Sequence, residues 1–220
     1  MGKLIVIEGT DGSGKATQTA LLAEELEKSG FEVKRLEFPR YESESSALVR
    51  MYLRGDFGSK PEDVNAYAAG SFFAVDRYAS FKDDWGGFYG RGGLVVTDRY
   101  TTSNAVHQAP KLPDGERGEY LKWLFGYEYG LLGLPKPDLV IYLDLPTAVT
   151  EALMASRREK DGSRGDIHEN DEGYLAHCRE CALGIAKSEG WRVINCAEGG
   201  AIRSIESIHS EIMGIIKEVL

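Results

Sequence analysis

The residues best suited to chemistry lie near the amino end, in a glycine-rich segment that spans residues 9–15. This segment follows the apolar run Leu4–Ile7 and precedes a helical pattern that begins near Ala16. A strand that ends in such a turn and re-enters a helix directs several backbone N–H groups at one point, where a phosphate can bind. Lys15 can then reach the oxygens of the terminal phosphates. The predicted ATP-binding residues are Gly9, Thr10, Asp11, Gly12, Ser13, Gly14, Lys15, Ala16 and Thr17.

The spacing of this segment fits the Walker A pattern at every position but one. The pattern has Ser or Thr after the lysine, whereas this chain has Ala16, and Thr17 comes one position late. The hydroxyl that usually binds Mg²⁺ is therefore missing, so the expected ligands become carboxylates, phosphate oxygens and water. The alternative, a tight turn without a ligand, is disfavoured because strand, turn and helix all fall where the motif requires them.

A second pair of reactive side chains, Asp98 and Arg99, directly follows the apolar strand Leu94–Thr97. The carboxyl ends of parallel strands meet at one sheet edge, which places this pair beside the glycine-rich turn. Aspartate can bind Mg²⁺ or accept a proton, and arginine can span two phosphate oxygens. The alternative is a structural ion pair at the end of a strand, which the phosphate loop in the same chain makes less favoured.

The elements that must position these groups follow from the hydrophobic pattern. Strands that alternate with helices predict a doubly wound α/β fold of the P-loop NTPase type, with a five-stranded parallel sheet flanked by helices. Gly30 is a good end for the first helix. The predicted strands are Leu4–Ile7, Glu32–Phe38, Leu94–Val96, Leu139–Leu143 and Val193–Ile194, and the predicted helices are 15–29, 46–54, 61–76, 102–108, 116–130, 147–158, 171–189 and 203–219.

The composition bounds the class of protein. The 220 residues, 42% of them hydrophobic, suit a single domain over residues 1–220. The net charge of −9 argues against a nucleic-acid partner, so an anionic substrate needs a local cluster of cations. We expect no membrane association, because no apolar run approaches membrane-spanning length, and no export, because no basic and apolar leader is present at the amino end.

The three cysteines suit a reducing cytoplasm better than a disulfide framework. Cys178 and Cys181 form a C-x-x-C pair, a spacing also used for zinc or redox chemistry. Because this pair lies in a helical pattern without a second cysteine pair, buried structural cysteines are the favoured interpretation. Cys196 stands alone in the sequence.

A polar, charge-dense segment at residues 156–168 interrupts the pattern between two helices. Gly162 and Gly165 supply hinge positions, and three arginines lie within it. We interpret this segment as a short mobile lid, with an exposed polar loop as the alternative.

Six motifs, taken in order, resemble the thymidylate kinase family over nearly the whole chain. The pair Phe-x-x-x-Arg and Asp-Arg-Tyr-x-x-Ser distinguishes this family from most other P-loop kinases. The motifs are Glu8–Lys15, Phe38–Tyr41, Phe73–Arg77, Asp98–Asn104, Tyr142–Pro146 and Asp166–Glu169.

The resemblance implies roles for individual residues, position by position. Lys15 and Arg99 would hold the transferring and acceptor phosphates, and Asp11 would contact the sugar 3′-hydroxyl. Phe73 would stack on the thymine ring and Arg77 would donate to its O4. For Phe73 the alternative is a core aromatic, for Ser103 and Asn104 it is helix capping, and for Gln108 a solvated helix position. The remaining implied substrate contacts are Tyr41 and Arg40 at the monophosphate, and Ser103, Asn104 and Gln108 at the pyrimidine edge.

The resemblance also implies where the catalytic arginine and the metal ligands lie. One subgroup of the family carries an arginine at position 12, but this chain has Gly12, so the guanidinium should come from Arg164 or, failing that, Arg158. Glu169 ends the implied lid and would hold a metal-bound water, although an acid at a helix start is the alternative. The implied Mg²⁺ ligands are Asp98, Glu169 and Asp11.

The activity implied is transfer of the γ-phosphoryl group of ATP to dTMP, with Mg²⁺ as cofactor, by a cytoplasmic homodimer. The partners implied are ATP and dTMP, with no nucleic acid and no membrane. His107 stands where some members place a tyrosine that excludes a ribose 2′-hydroxyl, so discrimination against ribonucleotides is the least secure expectation. Two alternatives stay open: a kinase for another pyrimidine nucleotide or a deoxynucleoside, and a nucleotide-binding regulator that has lost turnover.

Overall fold

A computed structural model describes residues 1–161, 167–168 and 171–220, except for the side chains of residues 156–161 and 172. Five parallel strands form one sheet in the order β2-β3-β1-β4-β5. This arrangement confirms the predicted doubly wound α/β fold, and the order reverses at β1, so β1 is the topological switch point. The strands are β1 Lys3–Gly9, β2 Val33–Glu37, β3 Leu94–Asp98, β4 Leu139–Asp144 and β5 Arg192–Asn195.

Helices cover both faces of the sheet. Each predicted helix is present, but the helix predicted at 61–76 ends later than expected. Its counterpart α3 continues through a π-helix at Phe81–Trp85 into α4. A second π-helix, Gly126–Leu131, extends α6. The helices are α1 Lys15–Lys28, α2 Ala47–Arg54, α3 Ala66–Ser80, α4 Gly86–Gly90, α5 Thr101–His107, α6 Asp114–Phe125, α7 Thr147–Asp161, α8 Glu172–Glu189 and α9 Ile205–Ile216.

The core lies on both faces of the sheet because the strands are apolar at nearly every position. Alternate residues of β1 point to opposite sides: Ile5 and Ile7 pack with α1 and α9, whereas Leu4 and Val6 pack with Trp85 and Tyr100. The central strands are therefore fully buried, and their carboxyl ends are held in fixed register. Ile7 of β1 is paired with Asp98 of β3, and Asp98 is paired with Glu37 of β2.

Three smaller features bear on the expectations from the sequence. The cysteines Cys178, Cys181 and Cys196 are free and buried, which confirms the structural interpretation. A short antiparallel hairpin of β6 Ala197–Glu198 and β7 Ala201–Ile202 was not predicted. Among the described residues, no helix combines the length and the apolar character needed to cross a bilayer.

The two-sided burial of the sheet predicts a large difference between two matched strand substitutions. Val96→Ala, at a position with 0% exposure, should lower the free energy of unfolding by about 2 to 3 kcal/mol, because it removes two buried methyl groups and leaves a cavity. Val193→Ala, at a position with 44% exposure in β5, is the control and should change it by less than about 0.5 kcal/mol. Urea unfolding of both variants measures the difference; equal losses would contradict the assigned burial.

Candidate active site

The phosphate loop runs from the end of β1 into the start of α1, as the sequence predicts. Gly12 and Gly14 have φ values of +78° and +88°, a left-handed conformation that favours glycine. Nζ of Lys15 donates to the carbonyl of Thr10 at 2.9 Å, so the lysine folds back along the loop. The hydroxyl of Ser13 is buried and has no hydrogen-bond partner among the described residues, which suits a loop that receives a phosphate.

The backbone at Gly12 explains why this position carries no side chain. A Cβ atom there would lie 3.1 Å from Cγ of Met154 and 3.2 Å from the carbonyl of Thr150, both on α7. An arginine at this position would thus need a strained φ and small shifts of Met154 and of the Thr150 carbonyl. The loop itself carries no guanidinium.

Arg99 stands at the centre of the charged groups beside the loop. Its φ of +67° makes it the only non-glycine residue with positive φ in the described part of the chain, and such backbone strain is concentrated at functional sites. The guanidinium donates to Asp11 and lies 2.9 Å from Nε2 of His107. Burial opposes its charge, but the carboxylates of Asp11, Glu8 and Asp98 outweigh burial and raise the pKa of Arg99 above its ordinary value.

Asp11 is held by cations on two sides. Its Oδ1 accepts from Arg99 and lies 3.9 Å from Nζ of Lys15. Burial alone would raise the pKa of Asp11, but Arg99 and Lys15 outweigh it and hold that pKa well below the ordinary range. Asp11 is therefore an ionised partner of Lys15 and Arg99.

A fully buried carboxylate behind the loop was missed by the sequence analysis. Glu8 accepts hydrogen bonds from the hydroxyls of Thr102, at 2.7 Å, and Ser103, at 2.8 Å. Burial raises the pKa of Glu8 above its ordinary value, against the opposite effect of Arg99 and Lys15. The Ser103 hydroxyl, expected at the pyrimidine edge or at a helix cap, thus binds Glu8 in this structure, although Ser103 also lines the cavity.

At the other end of the cavity Arg77 forms a two-point ion pair with Glu128. Its Nε and Nη2 donate at 2.7 and 2.6 Å, and both side chains are at most 1% exposed. Burial opposes the charge, but Glu128 outweighs it and raises the pKa of Arg77. Within the described residues Nη1 of Arg77 makes no hydrogen bond, so this nitrogen is the one left to face a ligand.

Glu128 also receives hydrogen bonds from α5, one of them from the predicted site residue Asn104. Thr101, which was not predicted as a site residue, donates to the acid at 2.7 Å and Asn104 at 3.1 Å, and Asn104 also donates to the carbonyl of Gly70 at 3.0 Å. The acid lies in the π-helix Gly126–Leu131, in a local geometry often found at functional sites. The signal in the sequence that could have identified Glu128 is a single acid between two tyrosines, Tyr127 and Tyr129.

Phe73 and Gln108 line the same end of the cavity. The ring of Phe73 is half-buried and meets Tyr52 edge to face, at 6.2 Å between centroids and an angle of 89°, so it is packed yet reachable. Gln108 is only 1% exposed and its Oε1 has no partner among the described residues. The alternative that Gln108 is a solvated helix residue is therefore wrong.

The segment after β2 brings Tyr41 to the cavity but not the Arg40 side chain. Tyr41 is 48% exposed and lines the cavity wall, next to a cis peptide bond between Phe38 and Pro39. The backbone N–H of Arg40 donates to Asp76 of α3 at 2.9 Å, which anchors the segment. Arg40 is not among the residues that line the cavity.

The cavity has a volume of about 710 Å³ and reaches beyond the phosphate loop to an apolar end that sequence analysis missed. Gln18 of α1 donates to the carbonyl of Ile205 at 3.0 Å and joins α1 to the start of α9. A flat base fits this end, because aliphatic side chains from three elements form its walls. They are Leu153, Met154, Ile202, Ile205 and Ile208.

The metal ligands expected from the sequence are only partly brought together. Asp98 is 8% exposed, and its buried Oδ1 has no hydrogen-bond partner among the described residues. Glu37, which the sequence analysis did not select, is its register partner and also lines the cavity. Ala16 offers no side-chain oxygen, and Asp11 is paired with Arg99. No cluster of three or more metal-binding side chains occurs in the described ranges, so the residues fit a cation held by Asp98, phosphate and water.

Three predicted residues lie outside the described part of the chain. Arg164 and Glu169 are not described, and for Arg158 only the helical backbone of α7 is. Of the expected lid at 156–168, residues 167–168 are described in full.

The fold and the cavity together define a class of protein. A phosphate loop at the switch point of a five-stranded parallel sheet binds one nucleotide, and the same cavity continues past Arg99 to a second end lined by Phe73 and Arg77. Two adjoining nucleotide sites at the carboxyl edge of such a sheet are the arrangement of a P-loop nucleoside monophosphate kinase.

Comparison with known proteins specifies the family. The model of the family described as thymidylate kinase matches residues 7–212, and the chain belongs to that family. A thymidylate kinase of Mycobacterium tuberculosis is 34% identical over 86% of this chain and 87% of its own length. A probable thymidylate kinase of Pyrococcus horikoshii is 35% identical over 100% and 98%. The solved structure of thymidylate kinase from Candida albicans has a TM-score of 0.71 over 99% of this chain and 92% of that one, at 22% identity, and supports the fold.

The buried ion pair at the far end predicts a selective effect of Glu128→Gln. An amide cannot accept both donors of Arg77, so the guanidinium should lose its orientation and the KM for dTMP should rise by about tenfold or more, with the KM for ATP unchanged. Steady-state kinetics with each substrate varied in turn measures the two constants.

Glu119→Gln is the matched control, since Glu119 is 79% exposed on α6. Thermal unfolding should accompany the kinetics, because breaking a buried pair destabilises a protein by about 3 to 5 kcal/mol. Equal increases of both KM values in a folded Glu128→Gln protein would refute the assignment of Arg77 to the acceptor end.

Proposed function

We propose that this protein transfers the γ-phosphoryl group of ATP to the 5′-phosphate of dTMP and releases dTDP and ADP. The observation that carries the proposal is one continuous cavity in which Lys15 and Arg99 lie between an apolar donor end and an acceptor end lined by Phe73 and Arg77. Membership of the thymidylate kinase family supports this reaction, and no comparison favours the two alternatives.

The reaction needs positioning and charge neutralisation more than proton transfer. The acceptor is an ionised phosphate, so no general base and no covalent intermediate are required. We propose that the phosphates replace Asp11 as the partner of Arg99 and Lys15, so the cations exchange one anion for another without moving far. Asp11 is then available to the sugar 3′-hydroxyl, as the family pattern implies.

Recognition of the base follows from the acceptor end. The face of Phe73 supplies a surface for the pyrimidine, and Nη1 of Arg77 is the donor that Glu128 leaves available for O4. Asn104 and Gln108 would contact the pyrimidine edge, and Tyr41 the monophosphate. An apolar contact with the thymine methyl adds only about 1 to 3 kcal/mol of preference over dUMP, so discrimination against dUMP should be incomplete.

Mg²⁺ is the proposed cofactor, with Asp98 as its ligand and Glu37 beside it. When bound, the cation neutralises charge on the phosphates of ATP. Asp98 would orient the bound phosphates from the sheet edge, while Glu169 remains a proposed outer ligand. We also propose Arg164, with Arg158 as the second candidate, as the guanidinium that reaches the transferring group from the expected lid.

We further propose a homodimer that works in the cytoplasm. Tyr67, Val75 and Tyr78 lie along one side of α3 and are 39 to 41% exposed, which is a suitable surface for a second copy. Free cysteines fit a reducing compartment.

A panel of acceptors tests the reaction and its alternatives together. Release of ADP should be fastest with dTMP, slower with dUMP, and weak with UMP, dCMP and thymidine, because the acceptor end is built for an anionic pyrimidine nucleotide. A coupled assay with ATP and Mg²⁺ measures all five rates. Turnover of thymidine but not dTMP would indicate a nucleoside kinase, and no turnover with any acceptor would indicate a regulator.

The assignment of the cation predicts different effects for two neighbouring acids. Asp98→Asn should weaken the binding of Mn²⁺ in the presence of ADP by about tenfold or more, because it removes a buried charged ligand. Glu37→Gln should have a smaller effect, since Glu37 is exposed. Electron paramagnetic resonance of Mn²⁺ measures binding without turnover. Unchanged Mn²⁺ affinity in both variants would place the cation elsewhere.

A further inference from the structure

Lys111 lies outside the proposed catalytic groups, at the end of the short 3₁₀ turn that follows α5. Its Nζ donates to the hydroxyl of Tyr52 at 2.8 Å and to the carbonyl of Val64 at 2.9 Å. The same nitrogen lies 4.9 Å from the centroid of the Tyr52 ring. Burial lowers the pKa of Lys111 to about 7, so placing an amine here costs free energy that an apolar side chain would not.

The contacts continue from Lys111 towards the active site. The hydroxyl of Tyr52, a residue with 1% exposure, lies 2.7 Å from Nε2 of His168. The ring of His168 stacks on His107, with 5.7 Å between centroids and 6° between planes. His107 in turn lies 2.9 Å from Nη1 of Arg99. One connected series of side chains thus joins Lys111 to the cation that faces the acceptor phosphate.

The donors at the two ends fix the direction of these hydrogen bonds. A guanidinium has no acceptor, so Nε2 of His107 must accept from Arg99, and its ring proton then lies on Nδ1. In its ammonium form Lys111 only donates, so the Tyr52 oxygen accepts from it, which leaves the Tyr52 hydroxyl able to donate to Nε2 of His168. Burial also lowers the pKa of His107 well below its ordinary value, so this imidazole stays neutral.

We propose that Lys111 is a positioning residue for the phosphoryl transfer. By orienting the hydroxyl of Tyr52 it holds His168, and the stacked pair of His168 and His107 fixes the plane of the Arg99 guanidinium. Arg99 must exchange Asp11 for a phosphate and keep its orientation. The His107 ring, stacked on His168 by one face and bonded to Arg99 at one edge, restricts how far the guanidinium can turn. The kinetic part of this inference rests on the proposed function, whereas the hydrogen-bond directions do not.

Lys111→Met tests the proposal because it removes the donor but keeps an unbranched side chain that is only one atom shorter. We expect kcat with dTMP to fall by about 10- to 100-fold, as small errors in positioning do, while the KM for ATP stays within about twofold. Lys111→Arg should restore part of kcat, since it returns a donor. Lys122→Met is the matched control, because Lys122 is 80% exposed on α6, and it should be indistinguishable from the parent protein.

Tyr52→Phe should reproduce the loss of kcat, and the double variant with Lys111→Met should be no worse than either single variant, since both interrupt one series of contacts. Losses in kcat that add in the double variant would show that Lys111 only stabilises the fold. A fall in kcat accompanied by equally large changes in the KM for both substrates would show the same. Thermal unfolding of each variant identifies any protein that fails to fold, in which case Tyr52→Phe carries the kinetic test.

A spectroscopic measurement separates this inference from the reaction itself. Imidazole ¹⁵N resonances of the parent protein should show His107 and His168 neutral with the proton on Nδ1. In Tyr52→Phe the His168 signals should indicate a mixture of the two neutral tautomers, whereas the His107 signals should still indicate the tautomer with its proton on Nδ1. If the parent protein does not phosphorylate dTMP, the proposed function fails but these signals still test the contacts. An Nε2 proton on His168 in the parent protein, or kcat unchanged in Lys111→Met, would overturn the proposal.

Discussion

The burial of opposite charges at the carboxyl edge of the sheet is the constraint on which the rest of the structure depends. Lys15 and Arg99 are cations, yet both line a cavity where an unpaired buried charge costs several kcal/mol. The chain meets this requirement with acids placed on all sides. Asp11 lies in the loop, Glu8 at the end of β1 and Asp98 at the end of β3, and each lowers the cost of the cations when no substrate is bound. Because the acids come from separate strands and a loop, the sheet must be in register before the site exists.

The other end of the cavity also pairs a buried cation, Arg77, with an acid, Glu128, and there the acid mainly fixes the direction of the cation. Glu128 binds two of the nitrogens of Arg77 and is itself held by Thr101 and Asn104. The acid therefore offsets the cost of burying the guanidinium charge and also fixes the direction of the guanidinium. A buried pair of this kind adds little to stability when compared with apolar residues, but it specifies one orientation. The pair leaves Nη1 as the nitrogen of Arg77 that makes no hydrogen bond among the described residues. Thus the acid paired with each cation fixes the orientation of that cation as well as balancing its charge.

The sequence was sufficient for features set by local pattern and insufficient for those set by packing. Apolar runs and helical periods predicted five strands in a parallel sheet, and the glycine-rich turn predicted the loop. Glu8 and Glu128 were missed because their partners lie 95 and 51 residues away, at Ser103 and Arg77, and no local pattern joins them. The π-helices likewise depend on tertiary contacts. The hairpin at residues 197–202 is different, since Gly199-Gly200 is a turn signal that the sequence did contain.

The two atypical positions of the phosphate loop are related through the space around them. At Gly12 a positive φ and the close approach of α7 disfavour a side chain, and at Ala16 the side chain is exposed and carries no oxygen. Neither position can therefore contribute a charge or a metal ligand to the transferring phosphate. Acidic side chains do lie at the ends of β2 and β3, where Glu37 and Asp98 are register partners. In the described part of the chain the loop thus offers a phosphate its backbone and Lys15, and the acids able to hold a cation come from the neighbouring strands.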